Sequence, residues 1–410
     1  MNRNQLTLLL VLGLVIGGLG LYLTGRDRAT YGESGQALGG KLLPNFPMND
    51  VAQIVIQEGT NDLHLVKEDA MWRVQERHGY PADYGNISAL LRKIWELKVV
   101  QSEQVGPSQW ARLQMAEPGQ GTNSGMRLEF KDPTGKELGA IVLGKKHMRQ
   151  GSGSSQFGSE GWPDGRYVRT AGSERVALVS DAFSEIEAKP DRFLNKDFIK
   201  IEKLSSISVT HTNLTNSWSL NRETETGPWS LVDAAEGEKL DTSKTSSINY
   251  VLSNPMFDDV MTAEAGAEVA GLDQALVARL ETFEGFKYAV KVGNKTPDDK
   301  YYLSVQVEGA FARERTPSAD EKEEDKERLD TEFKEKLAKL EEKLAQEKSR
   351  DGWIYLVSKW TVDPLLKLRA DFLESKTDES QTEDDAPEPA DPDEDEDESD
   401  VPPLVPQLFE

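Results

Sequence analysis

Trp72-Arg73-Val74, then Tyr80-Pro81-Ala82-Asp83, then apolar residues at Ile87, Leu90, Leu91, Ile94 and Leu97 form the stretch that decides the fold, because the chain states it twice. The second version runs Trp229-Ser230-Leu231, then Lys239-Leu240-Asp241, then Ile248, Val251 and Leu252. Each reads as a strand with an inward Trp, a short polar loop, and an Asp that caps an amphipathic helix by accepting from the free amides of its first turn. Asp83 and Asp241 are therefore structural caps, and Trp72 and Trp229 core residues, before any of them is a functional group. Trp95, Trp218 and Trp353, among apolar neighbours, are expected in the core as well.

Spacing extends the parallel. Trp229 follows Trp72 by 157 residues and Asp241 follows Asp83 by 158, so the opening segments register almost without gaps. Gly144 pairs with Gly293, Tyr167 with Tyr301, Leu178-Val179-Ser180 with Leu356-Val357-Ser358, and Phe193-Leu194 with Phe372-Leu373. The changes in spacing place one insertion at Gln150 to Gly165, rich in Gly and Ser, and another between Val305 and Trp353. The expectation is an α+β fold of tandem duplicated, mostly antiparallel sheet-plus-helix repeats. Repeat 1 covers 42–199 with a loop at 150–165, and repeat 2 covers 200–373 with a charged helical insertion at 310–352. In repeat 1, strands are predicted at Val51 to Gln57, Leu63 to Lys67, Met126 to Lys131, Leu138 to Leu143, Arg166 to Thr170 and Val176 to Ser180. A short helix is predicted at Pro107 to Leu113, and helical turns from Asp181 to Leu194.

Ala319 to Arg350 is almost wholly Glu, Lys, Asp, Arg, Ala and Leu, with one apolar stripe at Leu329, Phe333, Leu337, Leu340 and Leu344. Spaced pairs such as Glu332 with Lys336 support a long helix. So narrow a stripe covers one neighbour, either the protein's own domain, the preferred reading, or a docked partner.

Outside the repeats, Leu6 to Leu23 is an uncharged apolar run long enough, at ~1.5 Å per residue, to span a bilayer core. Residues 1–5 then form a short N-terminus, 6–23 a transmembrane helix and 24–41 a linker; the competing reading is a cleaved signal peptide, against which no clear small-x-small site follows the run. With no cysteine there is no lipoprotein cleavage, no disulfide and no thiolate metal site. Gly13 and Gly17 stand at the spacing that lets two membrane helices touch, though glycines are also common in lone membrane helices. Arg3 before the run and Arg26 and Arg28 after it give only a slight bias to a cytoplasmic N-terminus, with the bulk of the chain in the periplasm or outside the cell.

Of the formal net charge of −24, Glu374 to Asp400 supplies −14, from 15 acidic residues and Lys376. Residues 374–410 therefore read as a disordered acidic tail ending in an apolar Leu404 to Phe409 segment. The folded part is only mildly acidic and shows no basic patch, which excludes nucleic acid as the expected partner. No P-loop, nucleophile elbow or metal-binding His spacing occurs, so no catalytic, cofactor-binding or metal residue is assigned.

With these residues in view, the chain resembles the bacterial family catalogued as domain of unknown function 4340. The resemblance rests on the apolar N-terminal run, Lys41-Leu42-Leu43-Pro44, Trp72-Arg73-Val74, Tyr80-Pro81-Ala82-Asp83 and Leu143-Gly144-Lys145. It implies a single-span envelope protein at the inner membrane, often associated with components of gliding-type ABC transporters, and it brings no catalytic residues. The expected function is a non-catalytic accessory or scaffold of an envelope complex, possible partners being ABC transporter subunits. The alternative is a lipid- or glycan-binding module using the cleft between repeats.

Overall fold

The computed structural model describes residues 38–121, 123–149, 161–317 and 321–374. The apolar run at 6–23 with Gly13 and Gly17, most of the Gly/Ser loop and the acidic tail lie outside the described residues. Among those described, no helix is long and apolar enough to cross a membrane.

Two antiparallel sheets with helices on them make up an α+β structure. The first is built from β1 (Gln53–Glu58), β2 (Asn61–Glu68), β3 (Met71–Val74), β4 (Tyr80–Pro81), then helix α1 (Tyr84–Glu96), β5 (Val99–Gln104), β6 (Met126–Lys131), β7 (Glu137–Arg149), β8 (Trp162–Thr170) and β9 (Arg175–Val179). Its nine strands lie in the order β4-β3-β2-β1-β6-β7-β8-β9-β5. The second sheet uses β10 (Leu204–Thr210), β11 (Trp218–Asn221), β12 (Ser230–Leu231), β13 (Asp259–Thr262), helix α2 (Ala263–Ala270), β14 (Leu276–Thr282), β15 (Phe286–Lys295) and β16 (Lys300–Gly309). Helix α3 (Glu323–Lys348), β17 (Trp353–Ser358) and helix α4 (Lys359–Leu366) complete it. Its eight strands run β12-β11-β10-β14-β15-β16-β17-β13, the order of the first sheet without its outermost strand.

The chain positions agree in detail. Asp83 N donates to Phe193 O and Asp241 N to Phe372 O, at 2.7 and 2.9 Å. A Cβ on Gly144 would stand 2.5 Å from Leu113 O, and one on Gly293 2.0 Å from Ala270 O. Both glycines let the segment before β6 or β14 cross directly over the adjacent strand.

α1 forms as its period requires: Ile87, Leu90, Leu91 and Ile94 are buried on one face, and the Asp83 carboxylate accepts from Asn86 N. The second version departs from the expected amphipathic α-helix. Thr242–Tyr250 is a 3-10 helix, and its cap Asp241 accepts from Ser243 N. Its sequence, TSKTSSINY, is rich in hydroxyl side chains that compete for backbone groups, as Thr245 Oγ1 does in donating to Thr242 O at 2.7 Å. Few apolar residues remain to hold an α-helix against the sheet.

Other elements also shift. The turns expected over Asp181 to Leu194 reduce to a 3-10 turn at Pro190–Phe193, β7 runs on to Arg149, and β8 begins at Trp162, inside the stretch predicted as loop. Trp95, expected in the core, is 41% exposed, with Lys41 Nζ 3.2 Å above its ring. Trp72 and Trp229 are buried, 5% and 4% exposed.

Rings close the junction between the sheets. Tyr80 of β4 packs edge-on against Trp353 of β17 at 4.9 Å and against Phe257 at 6.0 Å, while Phe198 lies 4.3 Å from Tyr355. Beside them Arg77 grips Asp259 with two charge-assisted hydrogen bonds of 2.6 and 2.7 Å. Lys196 Nζ donates to the carbonyls of Phe257 and Asp258.

Candidate functional site

Each Trp-to-cap stretch builds a groove. Lys67 of β2 pairs across the ladder with Trp72 of β3, which sets a cation beside the Trp in the groove along the first turns of α1. The groove there holds about 300 Å³ and is lined by Lys67, Trp72, Tyr84, Ile87, Leu91 and Arg92. In the second sheet the ladder pairs Asn221 with Ser230, so Arg222, one residue on, stands opposite Trp229. The groove at that point is larger, about 460 Å³, and its wall includes Arg222, Trp229, Thr242, Thr245, Asn249 and Tyr250. Thr242, Thr245 and Asn249 follow Tyr84, Ile87 and Leu91 by 158 residues, the separation of the two caps.

At corresponding positions Thr245 and Asn249 furnish the second groove where the first has Ile87 and Leu91, while Asn49 and Ser88 also line the first. Arg222 Cζ lies 4.7 Å from the Trp229 ring centroid, its Nε donates to Leu204 O at 2.7 Å and its Nη1 to Asn249 Oδ1 at 3.2 Å. Trp229 Nε1 donates to the same Asn249 oxygen at 2.9 Å. Partial burial pulls the Arg222 guanidinium below its ordinary pKa, without threatening its charge. Lys203 enters the same groove and pairs with Glu284 at 2.8 Å.

Two further cavities flank α3. Near its C-terminal end, a cavity of about 790 Å³ is lined by Lys196, Phe198, Lys200, Met256, Lys343 and Arg350 among others, all from the connecting segment and the second unit. At its base Glu347, 5% exposed, accepts from Tyr288 OH at 2.7 Å and from Lys200 N at 2.9 Å. Desolvation raises the Glu347 carboxyl pKa, and desolvation together with the Glu347 charge raises that of the Tyr288 phenol. The other cavity, about 330 Å³, lies between Phe283, Phe311 and the α3 residues Phe333, Leu337 and Leu340.

All five stripe residues, Leu329, Phe333, Leu337, Leu340 and Leu344, are half-buried. Leu340 and Leu344 pack against the core. Ion pairs also tie α3 to the segment before it: Arg315, which holds Glu321 as well, to Asp330 at 2.7 Å, and Arg313 to Glu341.

Among the described residues, no group of three His, Asp or Glu side chains is placed to hold a metal ion. Three histidines are engaged singly: His64 with Glu76, His147 with Asp164, and His211 with the Lys367 carbonyl.

Arg222, Asn249, Tyr250 and Glu347 were not singled out from the sequence. The first three carried a faint signal, since they surround a Trp already marked by the parallel between the two stretches. Glu347 carried none, being one Glu of many on a charged helix. Its burial depends on where the insertion lands.

Residues 72–275 match the sequence model of the family described as Domain of unknown function (DUF4340). The match opens on Trp72, takes in both Trp-to-cap stretches and both grooves' helical walls, and ends before the strands that flank the charged insertion. No curated protein and no solved structure matches the chain.

Proposed function

We propose that this chain, a member of the DUF4340 family through residues 72–275, is a non-catalytic single-span membrane protein. Its two sheet-plus-helix units, a tandem duplication, serve as an extracytoplasmic scaffold for an envelope complex, with ABC transporter subunits as candidate partners. The observation that carries this reading is the way the parts are locked together. Ring packing around Tyr80 and the Arg77–Asp259 pair join the sheets, while Glu347, Leu340 and Leu344 fasten α3 to the second. A body so fixed holds the exposed face of α3 in a set direction, and a membrane tether would raise its effective concentration toward membrane partners.

The duplication is supported by the shared strand order, the matching cap contacts to Phe193 and Phe372, and the matching close approaches at Gly144 and Gly293. The anchor is supported by the uncharged run from Leu6 to Leu23.

The test is co-purification from native membranes of the intact chain and of a variant in which 321–350 is replaced by a short Gly/Ser turn. The scaffold reading expects transporter subunits with the intact chain and their loss with the variant. Identical, non-specific co-purification in both would overturn it.

A further inference from the structure

The groove beside Trp229 differs from its counterpart beside Trp72 in a way that names a ligand class. Both have a buried Trp as floor, two cations in the wall (Lys67 and Arg92, or Lys203 and Arg222) and an exposed Tyr, Tyr84 at 69% and Tyr250 at 76%. The first groove also carries the Asn49 amide and the Ser88 hydroxyl, but only the second sets an amide against its Trp and Arg through hydrogen bonds. Asn249 Oδ1 accepts from both Arg222 Nη1 and Trp229 Nε1, which fixes which end of the amide is oxygen. Its Nδ2 donor is therefore turned away from both, on a residue that is solvent-exposed. Arg222 has Nε and Nη1 engaged by Leu204 and Asn249 and is braced on the Trp229 ring, so its remaining Nη2 edge is held in place.

Such a set suits a ligand with an acceptor-rich, negatively charged group for Arg222 and Asn249, Lys203 being already paired with Glu284. Glu225 and the Thr242 hydroxyl, in the same wall, suit ligand hydroxyls, and the Tyr250 ring offers a face for C–H groups. A cavity of about 460 Å³ is ample for one sugar ring. We propose that the Trp229 groove binds an anionic saccharide, a sugar ring carrying a carboxylate or phosphate, and that the Trp72 groove, where Ile87 and Leu91 replace Thr245 and Asn249, does not bind it with comparable strength. This inference is independent of the scaffold reading.

The experiment is calorimetric or ligand-observed NMR titration of the purified full chain with glucuronate, glucose 6-phosphate, glucose and inorganic phosphate. Saturable binding of glucuronate or glucose 6-phosphate in the millimolar range is expected, with glucose roughly 10-fold weaker or more and inorganic phosphate a poor competitor. Asn249→Asp retains the acceptor oxygen that Arg222 and Trp229 use but replaces the free donor with negative charge, and should weaken binding by about 10-fold or more. Tyr250→Ala, at an exposed position, should weaken it by roughly 2- to 10-fold. No saturable binding of either acidic sugar up to roughly 50 mM would overturn the proposal. So would inorganic phosphate competing as well as the sugars, or either variant binding like the parent chain.

Discussion

Replacing Glu347 with Gln tests how α3 is held, and the outcome can be worked from the contacts. The native carboxylate accepts from two donors, Tyr288 OH and Lys200 N, in a site where the side chain is 5% exposed. Gln presents one carbonyl oxygen and turns an amide N–H₂ toward the other donor. One buried donor is left without an acceptor, a loss of about 1–3 kcal/mol.

The pH dependence gives the sharper signature. Desolvation raises the Glu347 pKa above its ordinary 4.5, outweighing the opposing bonds from Lys200 N and Tyr288 and the charge of Lys343, whose Nζ is 4.0 Å away; Glu202 acts with the burial. The native state therefore holds this proton more tightly than the unfolded chain does. Its favourable contribution is complete below the ordinary carboxylate value and is lost as pH rises through the raised one. Gln does not titrate, so the stability gap between the parent chain and the variant should be widest below about pH 4.5 and narrow as pH rises. Carboxylates elsewhere cancel in that difference. Urea unfolding followed by Trp fluorescence at several pH values measures the gap, and hydrogen exchange over 323–348 assigns it to α3. A gap that stays constant, or widens with rising pH, would refute the burial of Glu347 as described.

Three other outcomes follow from the packing. Arg77→Ala and Asp259→Ala, made singly and together, should yield a coupling free energy of about 1–2 kcal/mol in a double-mutant cycle, smaller than for a fully buried pair because the side chains are 27% and 30% exposed; zero coupling would deny the junction its ionic clasp. Gly293→Ala would set a Cβ 2.0 Å from Ala270 O and should cost about 1–3 kcal/mol or more, whereas Gly106→Ala, with open space around it, should leave the urea midpoint nearly unchanged. Asp83→Ala removes the acceptor for Asn86 N and should cost about 1 kcal/mol in the same assay, while Asp83→Asn should retain most of that stability.

Elements whose pattern is local are legible along the chain. The 3.6-residue period of Ile87, Leu90, Leu91 and Ile94 with a capping Asp83 could become only a capped helix, and β6 is bounded by the residues its alternation indicated. Asp83 N and Asp241 N donate to the carbonyls of Phe193 and Phe372, residues that spacing along the chain also paired. Periodicity could not supply what depends on competition among distant groups. Thr242–Tyr250 became a 3-10 helix because its hydroxyls and few apolar residues give an α-helix too little to pack. Trp95 stayed at the surface because α1 turns its other face to the core.

The grooves were half legible. Trp72 and Trp229 marked where they lie, but Lys67 and Arg222 face those rings through ladder register, from hairpins of different length, at sequence separations of 5 and 7 residues. Which charges matter is set by the folded arrangement. It buried Glu347 among the charged residues of α3, set Arg77 against Asp259 across 182 residues, and oriented Asn249 between Arg222 and Trp229. Each is an electrostatic choice made by proximity in space, which composition and spacing along a chain do not encode.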